Sequence, residues 1–447
     1  MSQRYARFTL SILVSLTIIT SLDIAITKNR LFSVEAQDPF TSSLQGHVLD
    51  PKLKVELVYS GNGFPTNMVF VGKDDILLLS KKSGDVLRIK DGKNIGPVLH
   101  VNVNSKDERG LLGIATDAYP ANNQNQGGMS NVFLYYSFCQ SKLECNNFVY
   151  KYDWMKNEGK LTNPKLLLKL PGSPGPSHMG GDMTIGPDGN IYLVIGDLLT
   201  TKLFNTDKKY NTQAQNYEDG VEPDGRAGIL TMTKDGKPVD NIGIGSAYPL
   251  NLYYAYGIKN SFGIGFDPVT GKLWDTENGP DFGDEINLIE PGFNGGWSKV
   301  QGFWTVSDTS EKMQIITGEP SGLVDFGGKG KYYEPKLVWD KTVAPTALVF
   351  LSSTNLGSEY QNDMFVGSVK DGKIFHLKLN QDRNDLSLPN TIKNKIVSGE
   401  EASDPIEFAQ NFGIVTDLQV GPDDGYLYVV SGDRATDTGA IYRIVPK

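Results

Sequence analysis

The chain is poor in the residues around which many catalytic and metal centres are built: its 447 residues include two cysteines and four histidines. Cys139 and Cys145, in YSFCQSKLECNNF, lack the CxxC pattern of a redox or zinc site. There is no GxSxG elbow, P-loop, HExxH motif, zinc cluster or dinucleotide GxGxxG after a strand, so hydrolase and nucleotide-binding readings lack support. A basic face is missing too. Lys+Arg total 43 against Asp+Glu 52, a formal charge of −9, which argues against nucleic acid or an anionic membrane surface as partner. Beyond the N-terminus no stretch is apolar enough to span a bilayer, and none shows a clear 3.6-residue period, so helix is a minority.

What is present points to strands and turns. Glycine (49) and proline (23) make up about 16% of the chain against a usual share near 12%, and 20 Tyr with 20 Phe favour β-structure. At the N-terminus, Arg4 and Arg7 precede an apolar stretch from Phe8 to Ile26, and Val34-Glu35-Ala36 offers a small-x-small cleavage site. Residues 1–36 therefore read as an export signal or as an N-terminal anchor through residues 8–26, leaving 37–447 as one domain at the cell surface or outside the cell. In an oxidising compartment Cys139 and Cys145 form a short staple closing a hairpin, free thiols being the alternative.

Short apolar runs recur between turn residues, among them Ile76 to Leu79, Asp85 to Ile89, Asn131 to Tyr136 and Asp363 to Gly367. Two are near copies: IGPDGNIYLVIGD from Ile185 and VGPDDGYLYVVSGD from Val420; FDPVTGKLWDTENG from Phe266 follows the same plan. Such self-similarity predicts a β-propeller, whose radial sheets leave no long edges. About 410 residues at 40 to 50 per blade would make eight or more blades. Long polar loops at residues 122–131, 202–220 and 304–330 absorb the excess, so six blades with long inserted loops are expected. A two-domain β-sandwich chain is the structural alternative.

Of His47, His100, His178 and His376, His178 lies in a Gly/Pro-rich loop before a strand, where function concentrates, and an imidazole titrates near neutrality as a general base requires. The segment Tyr254 to Trp297 gathers Lys259, Asn260, a Gly279-Pro280 turn and the acids Glu277, Asp281, Asp284 and Glu285. Acids and turn carbonyls are the hard donors calcium takes, although the spacing is not an EF-hand loop; a solvated acidic loop is the plain alternative.

The segments ERGLLGIA from Glu108, SHMGGDMTIGPDGNIYLVIGD from Ser177 and YGIKNSFGIGFDPVTGKLWDTENGPDFGDEINLIEPG from Tyr256 resemble the glucose/sorbosone dehydrogenases. Weaker matches start at Thr342, Gly367 and Thr416. The resemblance implies a six-bladed propeller that uses pyrroloquinoline quinone (PQQ) and calcium to oxidise the anomeric hydroxyl of aldoses to lactones and passes electrons to an external acceptor. It implies that His178 is the catalytic base, with Lys259 and Asn260 near the quinone carbonyls. Glu108, Thr342, Lys370 and Thr416 fall in the cofactor pocket. Carbonyls of Gly279 and Pro280 hold the cofactor's calcium, and Glu285 with the carbonyl of Gly295 a structural one. The departures are specific: Ile414 and Thr416 replace two carboxylate-binding arginines, Lys259 replaces the arginine near the quinone carbonyls, and Ser177 stands where an orienting Asp can precede the base, which would then lack that carboxylate. Lys370 and Lys259 are then the expected chief cations, and a non-catalytic propeller that binds glycans or a protein through its loop face is the rival reading.

Overall fold

In the computed structural model the described residues are 46–118, 129–141, 144–199, 210–307 and 310–447; the N-terminal export or anchor segment falls outside them. They form six antiparallel blades. Blade 1 comprises Pro65–Gly72, Asp75–Ser80, Asp85–Lys90 and Lys93–His100, and blade 2 Leu111–Thr116, Met129–Cys139, Cys145–Met155 and Lys160–Pro171. Blade 3 is built from Met183–Ile185, Ile191–Ile195, Gly228–Met232 and Tyr253–Tyr256, and blade 4 from Ser261–Phe266, Leu273–Glu277, Asp284–Ile289 and Leu337–Trp339. Blade 5 has Pro345–Phe350, Met364–Ser368, Ile374–Leu377 and Glu407–Gln410. Blade 6 joins Ile414–Val420, Leu427–Asp433 and Thr438–Pro446 to Leu53–Asn62 from the other end of the chain, which pairs with Thr438–Pro446. The first strands of successive blades contact one another around a closed ring, 1 to 2 through 6 to 1. The expected six-bladed propeller is what forms.

The strands are apolar on both faces because each blade is packed between two others. Along Ile191–Ile195, residues Ile191, Leu193 and Ile195 pack with blade 2 residues such as Phe133 and Tyr135, while Tyr192 and Val194 pack with Ile264 and Leu273 of blade 4. The period-2 alternation thus divides one strand between two cores. Truncating Leu193, which is fully buried, to Ala costs about 2–5 kcal/mol.

The repeated sequence is the hairpin between a blade's first and second strands. In blade 3 the Asp188 carboxylate accepts the Asn190 N–H at 3.0 Å and the Tyr192 hydroxyl at 3.0 Å. In blade 6 Asp424 accepts the Tyr426 N–H at 3.0 Å and the Tyr428 hydroxyl at 2.7 Å. One Asp thereby fixes both turn and strand register. The excess length lies between strands, as anticipated, but 304–330 is not merely polar loop. Val300–Gln301, Trp304–Val306 and Lys312–Ile315 form a small extra sheet, and Trp304 is buried against Phe282 and Val338. Most of the 122–131 loop and residues 202–209 are outside the described residues. Cys139 and Cys145 face each other across the blade 2 hairpin and are disulfide-bonded.

Candidate functional site

His178 sits between the last strand of blade 2 and the first of blade 3, with a left-handed backbone, φ 59°. For a non-glycine residue this conformation costs on the order of 1–3 kcal/mol and persists only where surroundings impose it. Here Glu108 imposes it: one carboxylate oxygen accepts the N–H of His178 at 2.7 Å and of Met179 at 3.2 Å. Gly196 completes the fit, since a Cβ there would collide with the carbonyl oxygens of both His178 and Lys259. The close approach is possible because blade 3's second strand is followed at once by a residue without a side chain.

The imidazole is buried rather than displayed at the mouth, with 8% of the residue exposed. Its Nδ1 is 2.6 Å from Oδ1 of Asp197, whose other oxygen accepts the Trp297 indole N–H at 2.8 Å. Burial acts to raise the Asp197 carboxyl's pKa, but the His178 and Lys259 charges and the hydrogen bonds outweigh it and hold it below the ordinary value. An acceptor-only carboxylate at Nδ1 places the proton there and leaves the Nε2 lone pair as the basic atom. The expectation that Ser177 leaves this base without an orienting acid is corrected: Asp197, 19 residues onward and not adjacent, supplies it.

Lys259 Nζ lies 3.4 Å from His178 Nε2, and donates to the carbonyls of Asn278 and Gly279 at 3.1 Å each. Burial pushes its amine below the ordinary pKa, against the pull of Asp197, Glu108, Asp284 and Glu277. Asn260 bridges the same elements, its Oδ1 accepting the Gly180 N–H and its Nδ2 donating to Glu108, both at 3.3 Å. The Gly279-Pro280 turn is tied to Thr342 through Asp284, which accepts the N–H groups of Gly279 at 2.8 Å and of Val343 at 2.7 Å and a bond from the Thr342 side chain.

Beside this cluster a cleft of about 100 Å³, open to solvent, runs over the ring axis; Glu108, Gly180, Asn67, Asp182, Ile414 and Thr416 are in its lining. Asn67 Oδ1 is buried there without a hydrogen-bond partner. Lys370 is exposed, and its neighbour Val369 reaches the cleft instead. The cations that line it are Lys81 and Arg434, neither of which sequence motifs signal.

Glu285 and Gly295 belong to a second, fully buried set. Glu285 accepts from Gln301 Nε2 and Asn287 Nδ2, each at 3.0 Å, and burial pushes its carboxyl up to about 7. Glu277 belongs to the same set, its Oε2 standing 3.5 Å from where a side chain on Gly295 would begin. That oxygen, Asn287 Oδ1 and Gln301 Oε1 are buried without partners, which suits a hard cation. Among the described residues no three His, Cys, Asp or Glu side chains form a metal-holding group, so amide and main-chain oxygens would have to complete any such shell.

A propeller carrying a buried His–Asp pair next to an axial cleft lined by charged side chains of both signs defines an enzyme-like class. The sequence profile of the Glucose / Sorbosone dehydrogenase family matches residues 63–443, and the chain belongs to that family. It is 27% identical over 393 residues to Uncharacterized protein slr1608 of Synechocystis sp., covering 85% of this chain and 84% of that one. Quinoprotein glucose dehydrogenase B of Acinetobacter calcoaceticus is 26% identical over 396 residues, covering 78% and 82%. The PQQ-bound aldose sugar dehydrogenase of Streptomyces coelicolor superposes with a TM-score of 0.60 at 21% identity, over 89% of this chain and 99% of that one, which shows the shared fold. The family is one of sugar-oxidising oxidoreductases.

Proposed function

We propose that the protein is an exported, PQQ- and calcium-dependent aldose dehydrogenase that yields a lactone and passes electrons to an external acceptor. The observation that carries the reading is the buried His178, backbone-strained and held by Asp197 at Nδ1, so that Nε2, which faces Lys259, is its basic atom. The residues present fit the cofactor: the cations Lys81 and Arg434 line the cleft where its carboxylates would lie, Asn67, whose Oδ1 has no partner, lines the same cleft, and Lys259 adds a buried cation beside it. When bound, the quinone supplies the two-electron acceptance that no side chain provides. His178 Nε2 takes the proton of the anomeric hydroxyl, Asp197 fixes the ring and stabilises its protonated form, and Lys259 presents positive charge where oxygen charge develops. The carbonyls of Gly279 and Pro280 would hold the cofactor's calcium, Lys259 sharing the Gly279 oxygen. Glu277, Glu285 and the orphaned amide oxygens support a structural calcium.

Export is supported by the Arg-flanked apolar N-terminus and by the Cys139–Cys145 bond, which an oxidising compartment preserves. No helix among the described residues is long and apolar enough to cross a membrane.

The test is reconstitution: purified apoprotein with PQQ and Ca²⁺, dye reduction followed across a panel of aldoses. Turnover with at least one aldose is expected, and chelation by EGTA is expected to lower the melting temperature, because an ion bound only by the folded chain stabilises it. No turnover with any aldose overturns the enzyme reading in favour of a binding propeller; an unchanged melt overturns the calcium sites.

A further inference from the structure

The inner strand of blade 6 turns Ile414 and Thr416 into the axial cleft, so that wall brings no charge to a ligand. Cations reach the cleft from elsewhere. Lys81 follows Asp75–Ser80 of blade 1, and Arg434 follows Leu427–Asp433 of blade 6; both line the same space across the seam between the first and last blades. The Arg434 guanidinium lies 5.8 Å over the ring of Phe64, and Lys81 Nζ donates to the Asp107 carbonyl at 2.5 Å.

We infer that Lys81 and Arg434 form a two-cation clamp for the carboxylates of a planar polyacid, in place of the charge that Ile414 and Thr416 do not supply. The inference rests on the PQQ reading above and says which residues of this chain recognise that ligand's acid groups. Among the described residues neither cation is in an ion pair, although Asp107, Glu108 and Lys82 also act on Lys81 through space. Asp107, Glu108 and Asp182 line the same cleft, Glu108 accepting three N–H bonds through one oxygen on the His178 side. Burial, and next the charge of Arg434, push the Lys81 amine down to about 8. The two like charges disfavour one another, and an anion held between them relieves that repulsion. The two differ usefully in shape: guanidinium offers a planar fork to one carboxylate, ammonium a point charge to another.

The experiment measures binding rather than turnover. PQQ and its trimethyl ester are titrated by equilibrium dialysis into native apoprotein, Lys81→Gln, Arg434→Gln and the double variant, with circular-dichroism melts confirming that each is folded. A hydrogen bond to a charged group contributes roughly 1.5–3 kcal/mol, so each single change is expected to weaken PQQ about 10- to 100-fold and to leave the ester nearly unmoved. The double variant should lose its preference for the acid over the ester, and adding Ile414→Arg with Thr416→Arg to it should restore that preference. Tight native binding that neither variant weakens overturns the clamp while leaving the proposed function standing. Failure of native protein to bind PQQ at all overturns both.

Discussion

Blades 3 and 6 carry almost the same sequence, IYLVIGD against YLYVVSGD, and use it alike until its last two residues. Tyr192 meets Phe266 of blade 4 edge-on at 5.0 Å, as Tyr428 meets Phe70 of blade 1 at 5.1 Å. Turn Asp, tyrosine hydroxyl and strand register are shared. Then the two part. Gly196 lies under the backbones of His178 and Lys259, and Asp197 is fully buried beneath Trp297; Gly432 lies against the Phe64 ring, and half-buried Asp433 caps the N–H groups of Ala435 at 2.7 Å and Thr436 at 3.4 Å in its own turn. A repeat therefore conserves its frame for packing, while the same acid becomes an orienting carboxylate only where inserted segments cover it. In blade 6 the uncovered end is free to present Arg434 to the cleft.

That contrast can be broken at its strongest point first. On the proposed function, His178→Ala should cost about 10²- to 10⁴-fold in kcat, with PQQ binding nearly intact by dialysis; full activity would remove His178 from the mechanism. Next, the same exchange in both copies separates them: Asp197→Asn should lower kcat by roughly 10²-fold with KM nearly unchanged, since it acts on the base alone, while Asp433→Asn should change it less than about twofold. Equal effects would refute the claim that covering, not sequence, makes the difference.

The smallest effect is on stability. On the axis Asp182 accepts the N–H of Ile264 at 2.8 Å and Asn67 Nδ2 at 3.2 Å, and burial pushes its carboxyl up to about 7. An acid raised in the folded state binds its proton more tightly there than when unfolded, near 3.9. Its contribution is complete below about pH 4 and is lost as pH rises through 7. Asp417, also raised by burial, acts in the same direction. The native melting temperature should therefore fall between pH 4 and 8, and Asp182→Asn should flatten that fall; an equally steep slope would exclude Asp182 as a source.

The fold was legible because its signals are local: the Asp-bearing turn and the apolar strand lie within 14 residues, and repetition did the rest. His178, Asn260 and Lys259 were legible through their surrounding motifs. Asp197 was present in the repeat but reads there as the end of a strand, since nothing in sequence places it against an imidazole 19 residues away. Lys81 and Arg434 carry no motif; only closure of the ring brings blade 1 against blade 6. Lys370 misled for the converse reason, a cation in a matching segment whose side chain stands outside the cleft.

The closing strand Leu53–Asn62 has a consequence for the order in which the molecule can exist. During synthesis its partner Thr438–Pro446 is made nearly four hundred residues later, so it waits as an open edge while they are added. The axial cleft straddles that seam, with Lys81 made early and Ile414, Thr416 and Arg434 made near the end. A nascent or C-terminally shortened chain thus lacks one wall of the cleft, and capture of any ligand there is an act of the finished protein alone.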